Sequence, residues 1–111
     1  MARPSDTEWE LGMRASFEPG TYIYDWDVEV DVEDLTGDES ERPQDADWVS
    51  LGPNTGEGGV RFWICISSPR QLDVPTGEAM AVGRALERLA AWSPDAELVS
   101  VRTFLNRSCR A

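Results

Sequence analysis

The sequence predicts an α+β domain: a mainly antiparallel sheet of four to five strands with one helix, about residues 77–92, packed on one face. Three observations carry this. From Asp25 to Glu33 a carboxylate at every odd position alternates with Trp26, Val28, Val30 and Val32, the period of a strand that buries one face. Residues 60–67 (Val-Arg-Phe-Trp-Ile-Cys-Ile-Ser) are the most apolar stretch and read as a central strand covered on both faces. Helical spacing appears once, with Ala79, Val82, Leu86 and Leu89 on one side. A chain of 111 residues is expected to form one domain.

Taken in order, residues 1–7 are polar and expected to be disordered. Trp9, Leu11 and Met13 alternate with Glu8, Glu10 and Gly12, which predicts a first strand that Phe17 extends. Glu18-Pro19-Gly20 reads as a turn between antiparallel strands, and a long strand follows from Thr21 to Glu33. Residues 36–46 have no hydrophobic period and read as an acidic, exposed loop. A short strand at 47–51, anchored by Trp48, leads through a glycine-rich connection at 52–59 to the apolar strand. Thr76 is the expected N-cap of the helix, and Ser93-Pro94 stops it. Residues 97–105 alternate again and give a last strand with Leu98 or Val99 inward.

Charge is the strongest functional signal. The formal net charge is −11, and it is uneven. Residues 1–57 hold 16 acids against Arg3, Arg14 and Arg42, whereas residues 58–111 hold 5 acids against 7 arginines. Such an excess opposes direct binding to nucleic acid or to an anionic membrane, and favours a basic protein partner. The chain has no His, which removes the commonest general base and metal ligand. Cys65 and Cys109 are expected to be reduced thiols of a cytoplasmic protein. No signal peptide and no run of transmembrane length is read, and neither a cofactor nor a metal is expected.

Asp25, Asp27, Glu29, Asp31 and Glu33 should stand in a row about 6.6–7 Å apart on the outer strand face. Like charges in line repel, so the row reads as a surface for a cationic partner, with Asp45 and Asp47 adding to it from the loop. The opposing reading is a solvated face neutralised by Arg61 or Arg102 as cross-strand pairs. Trp63, if left exposed beside the row, would supply an aromatic anchor. A calcium site through Glu29, Asp31, Glu33 and Asp34 lacks the loop such sites use. Cys65 has no His to activate it as a nucleophile. The row is about fourfold too dilute to imitate duplex DNA by itself.

Leu51-Gly52-Pro53, the acid-containing glycine turn Gly56 to Gly59, the strand through Phe62, and Ser68-Pro69 with Leu72 resemble the central block of the bacterial polymorphic-toxin immunity family named immunity protein 8. Ser67 and Gln71 stand where that block carries Cys and Trp. The resemblance implies a small cytoplasmic antitoxin that binds a cognate toxin, and it brings no catalytic residues. The expectation is therefore a non-enzymatic immunity protein that occludes a basic toxin, such as a nuclease. A DNA-mimic inhibitor of a DNA-binding protein and a structural subunit of a larger complex are the alternatives.

Overall fold

Ser5 caps the first helix. Its hydroxyl accepts from the Glu8 amide at 3.2 Å, three residues into a helix whose first turn carries Asp6 and Glu8. That cap satisfies an otherwise orphaned donor and places negative charge at the positive end of the helix dipole. The helix, α1, spans Asp6–Ser16. The computed structural model describes residues 3–33, 39–44, 46–49 and 57–111. After α1 come β1 (Tyr22–Glu33), a 3-10 turn (Glu39–Glu41), β2 (Ala46–Val49), β3 (Glu57–Ser68), α2 (Val74–Trp92) and β4 (Glu97–Arg110).

The strands form one antiparallel sheet in the order β2-β3-β1-β4. The three long strands carry it, and the four-residue β2 adds a short outer edge. β1 is bonded along its length on both sides, Val28 lying opposite Phe62 of β3 and Thr103 of β4. Register slips between Asp25/Trp26 and Asp31/Val32 leave Asn106 and Val99 as extra residues in β4. Such bulges sharpen the local twist.

One side of the sheet is the core. Trp26, Val28, Val30 and Val32 of β1 and Val60, Phe62, Ile64 and Ile66 of β3 are all buried, together with Ala81, Ala85 and Leu89 of α2. Burial of these side chains is the main term holding the fold. α2 buries a stripe of small residues, Gly77, Ala81 and Ala85, so its backbone approaches the sheet closely. A Cβ at Gly77 would lie 3.4 Å from the Trp26 ring. Gly83, on the outer side of α2, has open space where a Cβ would be. Gly83→Ala is therefore expected to stabilise the fold by about 1 kcal/mol through helix propensity and lower unfolded-state entropy. Urea unfolding followed by circular dichroism measures it.

Several expectations are corrected here. The fold has two helices instead of one, because Trp9, Leu11 and Met13 belong to α1 and not to a strand. Trp9 and Met13, four apart, share a helix face, with Trp9 buried and Leu11 pointing outward. Residues 6 and 7 open that helix, and Arg3 is bonded to Asp27, in place of a loose N-terminus. α2 begins at Val74, three residues before the expected start, with Asp73 and not Thr76 as its cap; the Asp73 carboxylate accepts from the Thr76 amide at 2.9 Å. Ala79, expected inward, is exposed because the helix turns its small-residue stripe to the sheet. β3 is fully covered on one face only; on the other, Arg61 and Trp63 are half-buried and Cys65 and Ser67 are exposed. β4 runs five residues past its expected end; Leu98 lies on the core side, aligned with Val32, but at the sheet edge it stays 50% exposed, and Val99, the extra residue of a bulge, is 61% exposed. Of the expected acidic loop at 36–46, Glu39–Glu41 form a 3-10 turn and Ala46 opens β2, while residues 36–38 and 45 lie outside the described residues, as do 50–51 of the expected short strand and 52–56 of the glycine-rich connection, whose residues 57–59 belong to β3.

Candidate partner-binding surface

The alternation in β1 puts Asp25, Asp27, Glu29, Asp31 and Glu33 on the face opposite the core. That face is not open. Asp25, Asp27 and Glu29 are only 7–8% exposed, Asp31 is half-buried and Glu33 is exposed. A carboxylate taken out of water costs several kcal/mol unless it is paired, and the fold supplies a guanidinium to each buried one.

Asp25 accepts from Arg107 Nε at 2.9 Å. The same guanidinium donates through Nη1 to the Pro4 carbonyl at 3.1 Å and to Asp6 at 2.9 Å. It also lies over the Trp9 ring, 4.8 Å from the centroid. Arg107 thus ties α1 and the segment before it to the sheet. Asp27 is bonded by Arg3, which stacks on Trp63 at 4.7 Å. Glu29 accepts from Arg61 through Nε at 3.0 Å and through Nη2, and Arg102 Nη2 lies 3.3 Å from its other oxygen. Arg61 and Arg102 are its register partners on either side, so this is a three-strand ion cluster built by antiparallel pairing. Asp31 accepts from Ser100 Oγ at 2.6 Å.

The row expected to wait for a foreign cation is therefore mostly satisfied from within. Asp25, Asp27 and Glu29 are structural: they are neutralised by Arg107, Arg3, Arg61 and Arg102. Trp63 is half-buried under Arg3 and is not a bare anchor. Of the row, Asp31 and Glu33 keep access to solvent. Asp47 holds the register position opposite Arg61, and Asp45 lies outside the described residues. The cross-strand roles of Arg61 and Arg102 were foreseeable as cross-strand pairs. Those of Arg3 and Arg107 were not, since one lay in a segment expected to be disordered and the other beyond the expected end of the last strand.

Partial desolvation of the sulfur by the surrounding protein pushes the otherwise exposed Cys65 thiol up, with the Asp25 charge adding to it, and desolvation followed by the Glu10 charge raises Cys109. Both are free thiols. A raised thiol holds less thiolate at neutral pH, which is unfavourable for a nucleophile. Among the described residues no group of three or more acids or cysteines is placed to hold a metal ion, and Glu29 of the calcium reading is held by arginines. No described helix is long and apolar enough to cross a membrane.

A second feature was missed altogether. β4 is a 14-residue edge strand on which Leu98, Val99, Phe104 and Leu105 are each 40–61% exposed. The alternation of residues 97–105 was readable, but its place at the sheet edge was not. No family model, no curated protein and no solved structure matches the chain.

Proposed function

We propose that this chain is a non-catalytic, acidic protein-binding module whose partner is a basic protein. Its specific form, implied by the resemblance at residues 51–72, is a cytoplasmic antitoxin that occludes a basic toxin. The supporting observation is where the charge is left over. Asp25, Asp27 and Glu29 of the β1 row, with Asp6, engage four of the ten arginines, which leaves seventeen other acids against six other arginines. Residues 31–47, beginning at the solvent-accessible end of that row, carry eight acids and Arg42. The docking charge is assigned to Asp31 and Glu33 and to the acids that follow them in the sequence. Such an excess raises the rate of encounter with a positive partner and makes it depend on salt. The DNA-mimic alternative is weakened, because neutralising three of five row acids dilutes a stripe that was already too sparse.

The test uses the product of the neighbouring gene. If it contains a basic domain, that domain should bind this chain, and a variant combining Asp31→Asn, Glu33→Gln, Asp38→Asn and Glu41→Gln should associate about tenfold more slowly at low salt, with a flatter salt dependence. Asp27→Asn, by contrast, should weaken the fold and leave the association rate unchanged. A neighbouring product without a basic domain, or an association rate indifferent to the four acids, overturns the proposal.

A further inference from the structure

We propose that the free edge of β4 pairs with β4 of a second copy of this chain, antiparallel about a two-fold axis at Thr103, joining two sheets into one. The outer edge of β4 has no strand against it among the described residues. An uncovered edge strand presents a row of unpaired backbone donors and acceptors, and soluble proteins usually blunt such an edge with charge, proline, bulges or brevity; the bulges of β4 at Val99 and Asn106 leave Ser100–Leu105 regular between them. β4 is long, has no proline, and exposes apolar side chains on both of its faces. Leu98 and Leu105 are on the α2 side, aligned with Val32 and Trp26, while Phe104 is on the opposite side, aligned with Asp27.

A second copy is favoured over another occupant by charge. β4 is acidic at its start and basic at its end. Glu97 lies opposite Glu33 and just after Asp95, whereas the exposed Arg110 is the last residue of β4, Arg107 being held by Asp25 and Asp6. Antiparallel pairing of two identical strands brings each acidic end toward the partner's basic end. The net charge of −11 opposes self-association at long range, but β4 belongs to the half of the chain with seven arginines and five acids.

Geometry then selects the register. Opposed residues of an antiparallel pair share a face and are either both bonded or both unbonded, so a two-fold axis must pass through a residue. Between the bulges at Val99 and Asn106 only Ser100–Leu105 is regular, so the longest ladders centre on Arg102 or Thr103. Centring on Arg102 would set two arginines side by side. Centring on Thr103 puts Val101 against the second copy's Leu105 and Arg102 against its Phe104, an apolar pair and a cation–aromatic pair, each made twice.

Sedimentation equilibrium of the full chain at tens of micromolar should give a dimer. Phe104→Lys with Leu105→Lys should give a monomer with an unchanged circular dichroism spectrum. The register is tested separately in a chain carrying Cys65→Ser and Cys109→Ser. There Thr103→Cys should form a disulfide-linked dimer at least about tenfold faster under mild oxidation than Ala90→Cys on the exposed side of α2, since paired Cα atoms about 4.5–5.5 Å apart suit a disulfide. A monomeric native chain, a dimer indifferent to the lysines, a Thr103→Cys rate equal to that of Ala90→Cys, or an edge occupied only in complex with the basic partner each overturns the proposal.

Discussion

Arg107→Ala is expected to cost about 3–5 kcal/mol of stability, the range found when one member of a buried ion pair is removed. Arg107 is itself well buried, and so is Asp25: their side chains are 13% and 10% exposed. Truncation leaves the Asp25 carboxylate without its guanidinium, deletes the bonds to the Pro4 carbonyl and Asp6, and uncovers the Trp9 ring. Urea unfolding should show the loss in the midpoint with little change in slope. Hydrogen exchange should show a second effect: the amides of α1, whose one buried side chain is Trp9, should lose protection before the strands do. Adding Asp25→Asn to Arg107→Ala should recover part of the loss, because the second change removes the stranded charge. A loss below about 1 kcal/mol, or a double variant no better than the single one, would mean that the pair is a solvated surface contact.

Glu29→Ala is the second large effect, at about 1.5–3 kcal/mol, the range for hydrogen bonds to a charged group. It is expected to cost less than Arg107→Ala for a physical reason. Removing Glu29 strands no buried ion, because the arginines it leaves behind, Arg61 and Arg102, are 40% and 58% exposed and can turn to water. The same variant discriminates between the two readings of the row. If Glu29 is structural, its loss lowers the unfolding midpoint and leaves association with a basic partner at its former rate. If it were a docking residue, the reverse would hold. A double-mutant cycle with Arg61→Ala isolates the pair and should return a coupling of about 1 kcal/mol or more.

These two residues show why half of the row's meaning was legible and half was not. The alternation from Asp25 to Glu33 is a local pattern, and β1 follows it residue by residue. What lies over the acidic face is not local. Arg3 is 24 positions from Asp27, and Arg107 is 82 positions from Asp25. Each reaches its acid only because α1 folds onto the sheet and β4 pairs beside β1. Asp31 and Glu33 kept their exposure because they lie toward the far end of β1 from the Arg107 anchor of α1, which reaches Asp25.

The helices make the same point at shorter range. Trp9, Leu11 and Met13 satisfy a period of two, while Trp9 and Met13 alone satisfy a helix. Ser5 with Glu8 three residues later carried the deciding capping signal. In α2 three of the four residues expected inward do pack on the core, Leu89 buried and Val82 and Leu86 partly buried, but the stripe also includes Gly77, Ala81 and Ala85, whose small side chains let the helix approach Trp26 and the strands closely.

By itself the sequence determined the two-faced β1, the apolar β3, the second helix and the uneven charge excess, since each is written in residue period or composition. Only the tertiary structure decided which acids are spent internally and which strand is left at the edge. Both depend on strand order and on contacts between distant segments, and a carboxylate's role is set by whether a guanidinium or water is its nearest neighbour.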